Sequence, residues 1–415
     1  MRRVVITGMG AVTPLGNNVK DTWEAVKAGK CGIALTTHFD TTAFNVKYSA
    51  EVKNFNASDY MDSKDARKMA RFSQYAVAAA GMALEDAGIK GNADILNETP
   101  IYLGVGIGGF EVTEDSCIRY YKSEFKRVPP MTIPQLIPNE AAGNIAMQFG
   151  IHGTAHTVAT ACSSGTDAIG DALDQIRSGR ADVCLAGGAE STINGFSVLS
   201  FDVLQALSKK WADDPSKACR PFDKDRDGFT MGEGSAILIL EEYEHAKARG
   251  AKIYAELAGY GGTTDGYHLT APNPDGVQGS RAMTLAMKDA GVKPEDIQYY
   301  NAHGTSTHLN DSGETTMIKK AFGEAAKNLH ISSTKSMTGH CLGATGAIEA
   351  MLSVLAINDS FVPPTINLDN QDIEGGCDLN YTPNKGIEMN IDCAMSATFG
   401  FGGHNGVVVL KKVKD

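Results

Sequence analysis

Apolar runs alternate with helix-like segments along much of the chain. Runs rich in Val, Ile and Leu recur, and several precede segments with apolar residues at helical spacing. This alternation predicts an α/β protein with largely buried sheets. The predicted strands are 3–7, 101–105, 157–159, 183–186, 236–240, 253–257, 330–332 and 406–410.

The length of the chain indicates more than one core. Its 415 residues exceed a typical single domain. A charged, helix-favouring stretch at 241–250 closes with Gly250. We therefore predict two domains, 1–250 and 251–415.

A weak internal sequence similarity suggests that the two halves are alike. The strand-like HTVAT precedes small residues, Cys162 and a helix-like segment, and the strand-like HISST precedes small residues, His340 and another such segment. If the halves pack as a pseudo-symmetric pair, both helix starts converge on one pocket, as nucleophilic catalysis by distant positions requires.

Cys162 stands where a strand-like run gives way to a helix predicted at 165–178. The N–H groups of a helix start stabilise a thiolate, so a thiol pKa near 8.5 is expected to fall to about 7. His303 and His340, each set among small residues, are the candidate partners. The alternative is that Cys162 is an inert core residue, as free cysteines often are.

Composition and charge narrow the class of protein. Hydrophobic residues make up 42% and charged residues 21%, as in a folded globular chain. The net charge of −11 argues against bulk attraction to nucleic acid or anionic lipid. The apolar run near the N-terminus is too short for a secretion signal or membrane span. Eight cysteines without a CxxC pair favour reduced thiols in the cytoplasm.

One segment of this acidic chain carries a stripe of basic residues. Four basic residues recur at helical spacing and would lie on one helix face, where an acidic partner could dock; the alternative is a solvated face. They are Lys64, Arg67, Lys68 and Arg71. Lys126 and Arg127 form a second small basic cluster.

Three other motifs are set aside. Gly8-Met-Gly10 lacks the third glycine of a dinucleotide fingerprint, and Pro14 follows. The stretch 223–228 resembles half of an EF-hand loop, but Gly234 occupies its twelfth position. His152 and His156 have no carboxylate to complete a metal set, so no metal site is predicted.

Several ordered motifs resemble the β-ketoacyl-acyl-carrier-protein synthases, most closely the type II elongating enzymes. They are TACSSG at 160–165, RPFDKDRDGFTMGEG at 220–234, NAHGTST at 301–307, SSTKSMTGH at 332–340, VPPTINLD at 362–369 and FGFGGHN at 399–405. The resemblance implies a thiolase-like fold, with two pseudo-symmetric βαβαβαββ halves in a layered α-β-α-β-α core, and a homodimer.

The resemblance also implies an acyltransferase reaction. Cys162 would carry the growing acyl chain as a thioester, and malonyl-acyl-carrier protein would lose carbon dioxide and attack it, lengthening the chain by two carbons. His303 and His340 would stabilise the developing negative charge. Lys335 would keep both histidines neutral, and Glu349 matches an acidic residue near this network. No cofactor is implied.

Other site residues follow from the same resemblance. The backbone N–H groups of Cys162 and Phe401 would form an oxyanion hole, and Phe399 and Phe401 would gate the acyl pocket. The basic stripe and the second basic cluster would bind the acidic carrier protein. Two residues depart from the common pattern, His308 in place of proline and His404 in place of threonine, and they bear on the loops and the acyl preference.

Related activities remain as alternatives. A thiolase would carry a second catalytic cysteine where this chain has His404, and a type III synthase would use one histidine with an asparagine. A non-catalytic chain-length partner would lack Cys162. The ketosynthase subunit of a type II polyketide synthase shares the same chemistry and stays open.

Overall fold

The structure, a computed structural model, describes residues 1–414. Its strands are β1 Val4–Val12, β2 Ala34–Leu35, β3 Tyr48–Ser49, β4 Ile101–Gly104, β5 Ala155–Val158, β6 Val183–Glu190, β7 Gly234–Glu242, β8 Ala255–Thr264, β9 Tyr299–Asn301, β10 His330–Ser332, β11 Phe361–Val362, β12 Ile387–Glu388, β13 Cys393–Gly400 and β14 His404–Lys411.

The helices alternate with these strands. They are α1 Val19–Lys27, α2 Ser63–Ala66, α3 Arg71–Asp86, α4 Ala93–Leu96, α5 Phe110–Lys122, α6 Thr132–Leu136, α7 Glu140–Phe149, α8 Ser164–Arg177, α9 Gly195–Val203, α10 Tyr243–Ala248, α11 Val277–Ala290, α12 His308–Phe322, α13 Lys335–Thr338 and α14 Thr345–Asp359. None of the helices in residues 1–414 is long and apolar enough to cross a membrane.

Ten strands form two sheets of identical topology that join edge to edge. The order is β5-β4-β6-β7-β1 in the first half and β10-β9-β13-β14-β8 in the second, and β1 pairs with β8 at the junction. When the five strands of each half are numbered along the chain, their order across the sheet is third, second, fourth, fifth and first. The chain thus repeats one mixed sheet, in which the second strand pairs in parallel with the third and the fourth, and the fifth strand pairs antiparallel with the fourth and the first.

Helices cover both faces of each sheet and make five layers. Helices α8 and α14 contact each other and strands of both halves, so they form the central layer. Helix α3 packs on β1 and β7 from outside, and α11 packs on β8 and β14 in the same way. In the central layer α14 is buried on nearly all sides, which explains its continuous apolar sequence. The thiolase-like, layered α-β-α-β-α fold is confirmed.

Most of the predicted elements are confirmed. All eight predicted strands coincide with strands, although β1, β6, β7, β8 and β14 are several residues longer than expected. Strands β9 and β13 were not predicted, because β9 has only three residues and β13 mixes small, polar and apolar residues. The helix predicted to carry the basic stripe is wrong, since α2 ends at Ala66 and α3 begins at Arg71.

Candidate active site

Cys162 lies at the start of the central helix α8, as predicted. A 3₁₀ turn at Ala161–Ser163 joins β5 to this helix, and Ala161 has a φ of 52°. The second half repeats the arrangement, with a turn at Leu342–Ala344 before α14 and a φ of 44° at Leu342. Strained positive φ angles of non-glycine residues cluster at functional sites. Both strained turns face the same cavity, because Cys162 and Leu342 line it together.

His340 contacts the sulfur of Cys162 directly. Its Nε2 lies 3.0 Å from Sγ, and its Nδ1 lies 3.0 Å from Oγ1 of Thr345. The backbone N–H of His340 donates to the carbonyl of Thr230 at 2.8 Å, which fixes the segment before α14. Since the Thr345 hydroxyl can donate or accept, it supports either neutral tautomer of the ring.

His303 reaches the same place from the end of β9. Its ring stands perpendicular to that of His340, with centroids 5.3 Å apart. Glu314 on α12 accepts the backbone N–H groups of His303 and Gly304 at 2.8 and 2.7 Å. Ligand atoms of Cys162, His303 and His340 all lie within 4.8 Å of one another. The sequence prediction that one sulfur and two imidazoles converge is therefore confirmed.

Lys335 and Glu349 form a buried ion pair beside the histidines. Nζ of Lys335 lies 2.5 Å from Oε1 of Glu349, and both side chains are almost fully buried. Burial raises the pKa of Glu349 to about 8, and the adjacent ammonium opposes that rise. The second carboxylate oxygen has no hydrogen-bond partner in the described chain.

The pKa expected for Cys162 is wrong. Burial raises the pKa of this thiol to about 12, although Lys335 and the backbone N–H groups of Phe401 and Cys162 lower it. The helix start does act on the sulfur, but the loss of water outweighs it because a thiolate is costly in an apolar cavity. The thiol is neutral at physiological pH, so a base must remove its proton as it attacks.

Both histidines are neutral as well. Burial lowers the pKa of His303 and of His340 well below the ordinary value, and the charge of Lys335 lowers both further. A neutral imidazole carries one N–H donor and one free nitrogen. His303 and His340 can thus donate hydrogen bonds to a substrate oxygen without carrying a net charge.

The β13–β14 hairpin brings two phenylalanines to the cavity. Phe399 packs edge-on against His303, with centroids 5.8 Å apart, and Phe401 stands at the tip near Phe201. Glycine at position 400 allows this approach, because a Cβ there would lie 2.7 Å from the carbonyl oxygen of Thr160 and 3.1 Å from the nitrogen of Cys162. The N–H of Phe401 consequently acts on the sulfur.

A largely apolar cavity of about 430 Å³ joins these groups to the surface. Ile107, Phe201 and Leu342 line its interior, and Thr305 and Thr307 lie on its wall. His308 is exposed on this wall, and His404 lies half-buried beside the turn of the β13–β14 hairpin. The cavity has the size and polarity to accept a slender chain with a few polar groups.

The three converging ligand atoms could also bind a soft metal ion. Sulfur and imidazole nitrogens are the donors that Zn²⁺ prefers. Binding would require the thiolate, and burial holds the thiol in its neutral form. These residues therefore suit acid–base and hydrogen-bond chemistry better than metal binding.

The predicted docking residues divide into two groups. Lys64, Arg67 and Lys68, here called the basic patch, are exposed, as are Lys126 and Arg127. Gln135 on α6 donates to the carbonyl of Arg67 at 3.2 Å and so ties the segment after the second cluster to the basic patch. Arg71 differs, since its guanidinium lies 3.6 Å from the buried carboxylate of Glu233.

Sequence reasoning missed the residues that orient the histidines. Thr345 contacts His340, and Glu314 together with Asp311 holds the loop 303–307 through main-chain N–H groups. Asp311 and Glu314 are fully buried on one face of α12. The three-residue spacing of Asp311 and Glu314, directly after the motif that contains His303, could have indicated this role. Carboxylates at such spacing on a helix usually face solvent, so the spacing alone did not predict it.

Family comparisons agree with this geometry. The profile described as Beta-ketoacyl synthase, N-terminal domain, matches residues 1–246, and the one described as Beta-ketoacyl synthase, C-terminal domain, matches 254–369. The chain belongs to the β-ketoacyl synthase family. The family predicted from the motifs is confirmed, and this β-ketoacyl synthase is an acyltransferase-type condensing enzyme.

Curated relatives match almost the whole β-ketoacyl synthase chain. It is 49% identical over 411 residues to the 3-oxoacyl-[acyl-carrier-protein] synthase 2 of Staphylococcus aureus (strain COL), covering 99% of this chain and 98% of the relative. It is 48% identical to the protein of the same name from Synechocystis sp., with the same coverage.

Solved structures match over the full length. A type II polyketide ketosynthase, bound to a hexaketide and in complex with its acyl-carrier protein, has a TM-score of 0.91 at 35% identity. The ishigamide ketosynthase/chain length factor gives 0.93 at 34%, and a β-ketoacyl synthase from Burkholderia phymatum gives 0.92 at 36%. Each covers 100% of both chains.

The Lys335–Glu349 pair yields a pH prediction. Replacing both residues, as Lys335→Met with Glu349→Gln, removes the cation without leaving a lone buried charge. The pKa values of His303 and His340 should then rise toward their ordinary value, so the acid limb of the pH–rate profile for malonyl decarboxylation should move to higher pH. An unmoved acid limb would show that Lys335 does not keep the histidines neutral.

Proposed function

We propose that the protein lengthens fatty acyl chains by two carbons through decarboxylative condensation of malonyl-acyl-carrier protein with an acyl group held on Cys162. The observation that carries this proposal is the contact of 3.0 Å between Sγ of Cys162 and Nε2 of His340, with His303 in the same cavity. It is supported by 49% identity to a relative named 3-oxoacyl-[acyl-carrier-protein] synthase 2.

The first half-reaction loads the acyl group. Sγ of Cys162 attacks the carbonyl carbon of the acyl thioester while its proton passes to Nε2 of His340. The backbone N–H groups of Cys162 and Phe401, which already act on this sulfur, donate to the developing oxyanion. The carbon–sulfur bond to the carrier then breaks, and the departing thiolate takes the proton from His340.

The second half-reaction forms the new carbon–carbon bond. Loss of carbon dioxide from the malonyl thioester leaves negative charge on its carbonyl oxygen, toward which the neutral imidazoles of His303 and His340 donate. One such donor is typically worth about 100- to 1000-fold in rate. The enolate carbon attacks the carbonyl of the acyl-Cys162 thioester, and the sulfur of Cys162 leaves as a thiolate, which takes up a proton from water.

The thioester itself stabilises the charge that forms. Its carbonyl accepts the electrons released by decarboxylation, and the loss of carbon dioxide drives the condensation forward. We therefore expect the reaction to need no cofactor and no ATP.

We propose that the basic patch, with Lys126 and Arg127, docks the carrier protein. These five residues are exposed, and the carrier in the similar polyketide structure is bound to its ketosynthase. Long-range attraction between opposite charges would raise the encounter rate and depend on salt. We exclude Arg71 from the docking surface, because Glu233 offsets its charge.

We propose that the protein acts as a homodimer. The edge of β5 is exposed at Ala155 and His156, whereas the corresponding edge of β10 is covered by a hydrogen bond from Ile331 to the carbonyl of Asn380. An open strand edge is a template for pairing with another chain. Met147 on α7, a helix that packs against β5, adds an exposed apolar side chain near this edge.

Two further assignments complete the proposal. We assign the nucleophile to a domain of residues 1–250 and the histidines to a domain of 251–415, each built on one of the two similar sheets. We place the protein in the cytoplasm, because all eight cysteines are free, which suits a reducing compartment.

Loading of Cys162 tests the proposed reaction. Incubation with acyl-carrier protein should add one acyl group to the peptide that contains Cys162, as measured by mass spectrometry, and Cys162→Ala should abolish both loading and condensation. Cys117→Ala, which removes an exposed thiol, is the matched control and should load normally. Acylation of a different peptide, or undiminished condensation by Cys162→Ala, would contradict the proposal.

Charge reversal tests the docking surface. Lys64→Glu with Lys68→Glu should raise the KM for malonyl-acyl-carrier protein on the order of tenfold, which corresponds to roughly 1.4 kcal/mol, and the effect should shrink in high salt. The KM for malonyl-pantetheine, which lacks the carrier, should not change. Lys320→Glu with Lys327→Glu, exposed in the other half, is the control. An equal effect on both substrates would refute carrier docking here.

A second candidate is the ketosynthase of a type II polyketide system. It is favoured by the full-length similarity to a type II polyketide ketosynthase and to the ishigamide ketosynthase/chain length factor, both at TM-scores above 0.9. The two functions differ in the acyl chain that returns to Cys162, which is saturated in fatty acid synthesis and still carries its keto groups in polyketide synthesis. Repeated condensation without any ketoreductase present would favour the polyketide function.

A further inference from the structure

A buried carboxylate that the proposed mechanism does not use lies behind the cavity wall. Glu190 is the last residue of β6 and is fully buried. The neighbouring parallel strand β4 leads into the segment 105–109, which passes over the Glu190 side chain. Among residues 1–414, no lysine, arginine or histidine forms an ion pair with it.

Main-chain N–H groups surround this carboxylate instead. Oε2 accepts the N–H of Gly106 at 2.8 Å and of Gly343 at 3.1 Å, and Oε1 accepts the N–H of Gly108 at 3.0 Å. The N–H of Ile107 lies 3.2 to 3.3 Å from both oxygens. The carboxylate of Glu190 thus accepts hydrogen bonds from four N–H groups that donate to no other acceptor in the described part of the chain. These hydrogen bonds offset part of the free-energy cost of burying the carboxylate.

These contacts join the two halves of the molecule at the reactive centre. Gly106 and Ile107 line the cavity in the first half, and Gly343 belongs to the turn that follows His340 in the second half. The packing leaves no room for a methyl group, since a Cβ at Gly106 would lie 2.6 Å from Oε2 and one at Gly343 would lie 2.8 Å from it.

We infer that Glu190 is a positioning residue, which holds the cavity wall at 106–108 against the segment bearing His340 and whose negative charge adds to the effect of burial in keeping the Cys162 thiol protonated until an acyl thioester arrives. The inference rests on the proposed role of Cys162 as the nucleophile. It extends that role by explaining how a thiol at a helix start avoids unproductive reactions while the cavity is empty.

Charges around the two groups are consistent with this inference. Burial has the largest effect on the pKa of Cys162 and raises it. Lys335 has the next largest effect and lowers this pKa, and the charge of Glu190 then raises it. Burial raises the pKa of Glu190 to about 7, and its four N–H contacts lower it. His303, His340 and Lys335 also face this region, but both histidines stay neutral above pH 6.5. Cys341 is the other thiol on which the charge of Glu190 acts.

Alkylation of the intact protein by iodoacetamide tests the charge directly. Between pH 8 and 9, Glu190→Gln should alkylate at Cys162 severalfold faster, because loss of the negative charge lowers the pKa of the thiol and raises the thiolate concentration. Glu190→Asp keeps the charge but shortens the side chain, so its alkylation rate should stay near that of the natural protein while its kcat/KM for condensation falls.

The matched control is Glu241→Gln. Glu241 is equally buried but lies at the opposite end of the same sheet, where it pairs with Arg249. This variant should lower stability without changing the alkylation rate. An unchanged rate in Glu190→Gln, or an equal acceleration in Glu190→Asp, would overturn the inference, the latter by showing that looser packing is the cause.

The natural protein offers a test that needs no substitution. As Glu190 loses its proton near pH 7, the logarithm of the alkylation rate should rise with pH by a slope below one, because the new charge raises the pKa of the thiol. A slope of one throughout pH 6 to 8 would overturn the inference. Since alkylation does not require condensation, this result is independent of whether the proposed function holds.

Discussion

The candidate active site depends on the close approach of two helix starts in the central layer. Helices α8 and α14 begin so near each other that a Cβ at Gly165 would lie 2.9 Å from the nitrogen of Ala347, and one at Gly346 would lie 2.1 Å from Oγ1 of Thr166. Glycine at both positions lets the two halves meet without collision. This approach brings Cys162 within 3.0 Å of His340, although 178 positions separate them in the chain.

Burial then determines the chemistry of the residues that meet there. It favours the neutral forms of Cys162, His303 and His340, because each charged form would lose its hydration. The charges that remain nearby are offset in two ways. Lys335 pairs with Glu349, and Glu190 and Glu314 accept main-chain N–H groups of the loops that line the site. The same contacts that satisfy these buried carboxylates therefore hold the reactive side chains in place.

Local sequence predicted the elements but not their environment. Alternating apolar runs identified eight strands and the helix after Cys162, since these signals act over a few residues. The motifs around His303, Lys335 and His340 identified the reactive groups. The pKa of Cys162 could not be predicted in the same way, because its direction depends on burial by distant segments such as the β13–β14 hairpin.

The basic stripe is a second case in which local sequence did not predict the environment of a residue. The spacing of its four residues fits one helix, yet the chain turns between Arg67 and Arg71, and Arg71 enters a network with Glu233. Nothing within the stretch 64–71 indicates the presence of that carboxylate. Glu233 directly precedes β7 and lies 162 residues after Arg71 in the chain. Likewise, the role of Glu190 follows from a contact across the halves and not from spacing.

The central claim is that the cavity holds its two imidazoles neutral, ready to donate hydrogen bonds to a developing oxyanion. Titration of histidine side chains labelled with ¹³C at Cε1 tests it most directly by NMR, with His303→Asn and His340→Asn variants to assign the signals. Neither signal should shift between pH 8 and pH 6, because burial and Lys335 hold the pKa of both imidazoles well below the ordinary value. A signal of His303 or His340 that titrates with a pKa of about 6.5 or above, the ordinary value for histidine, would contradict it.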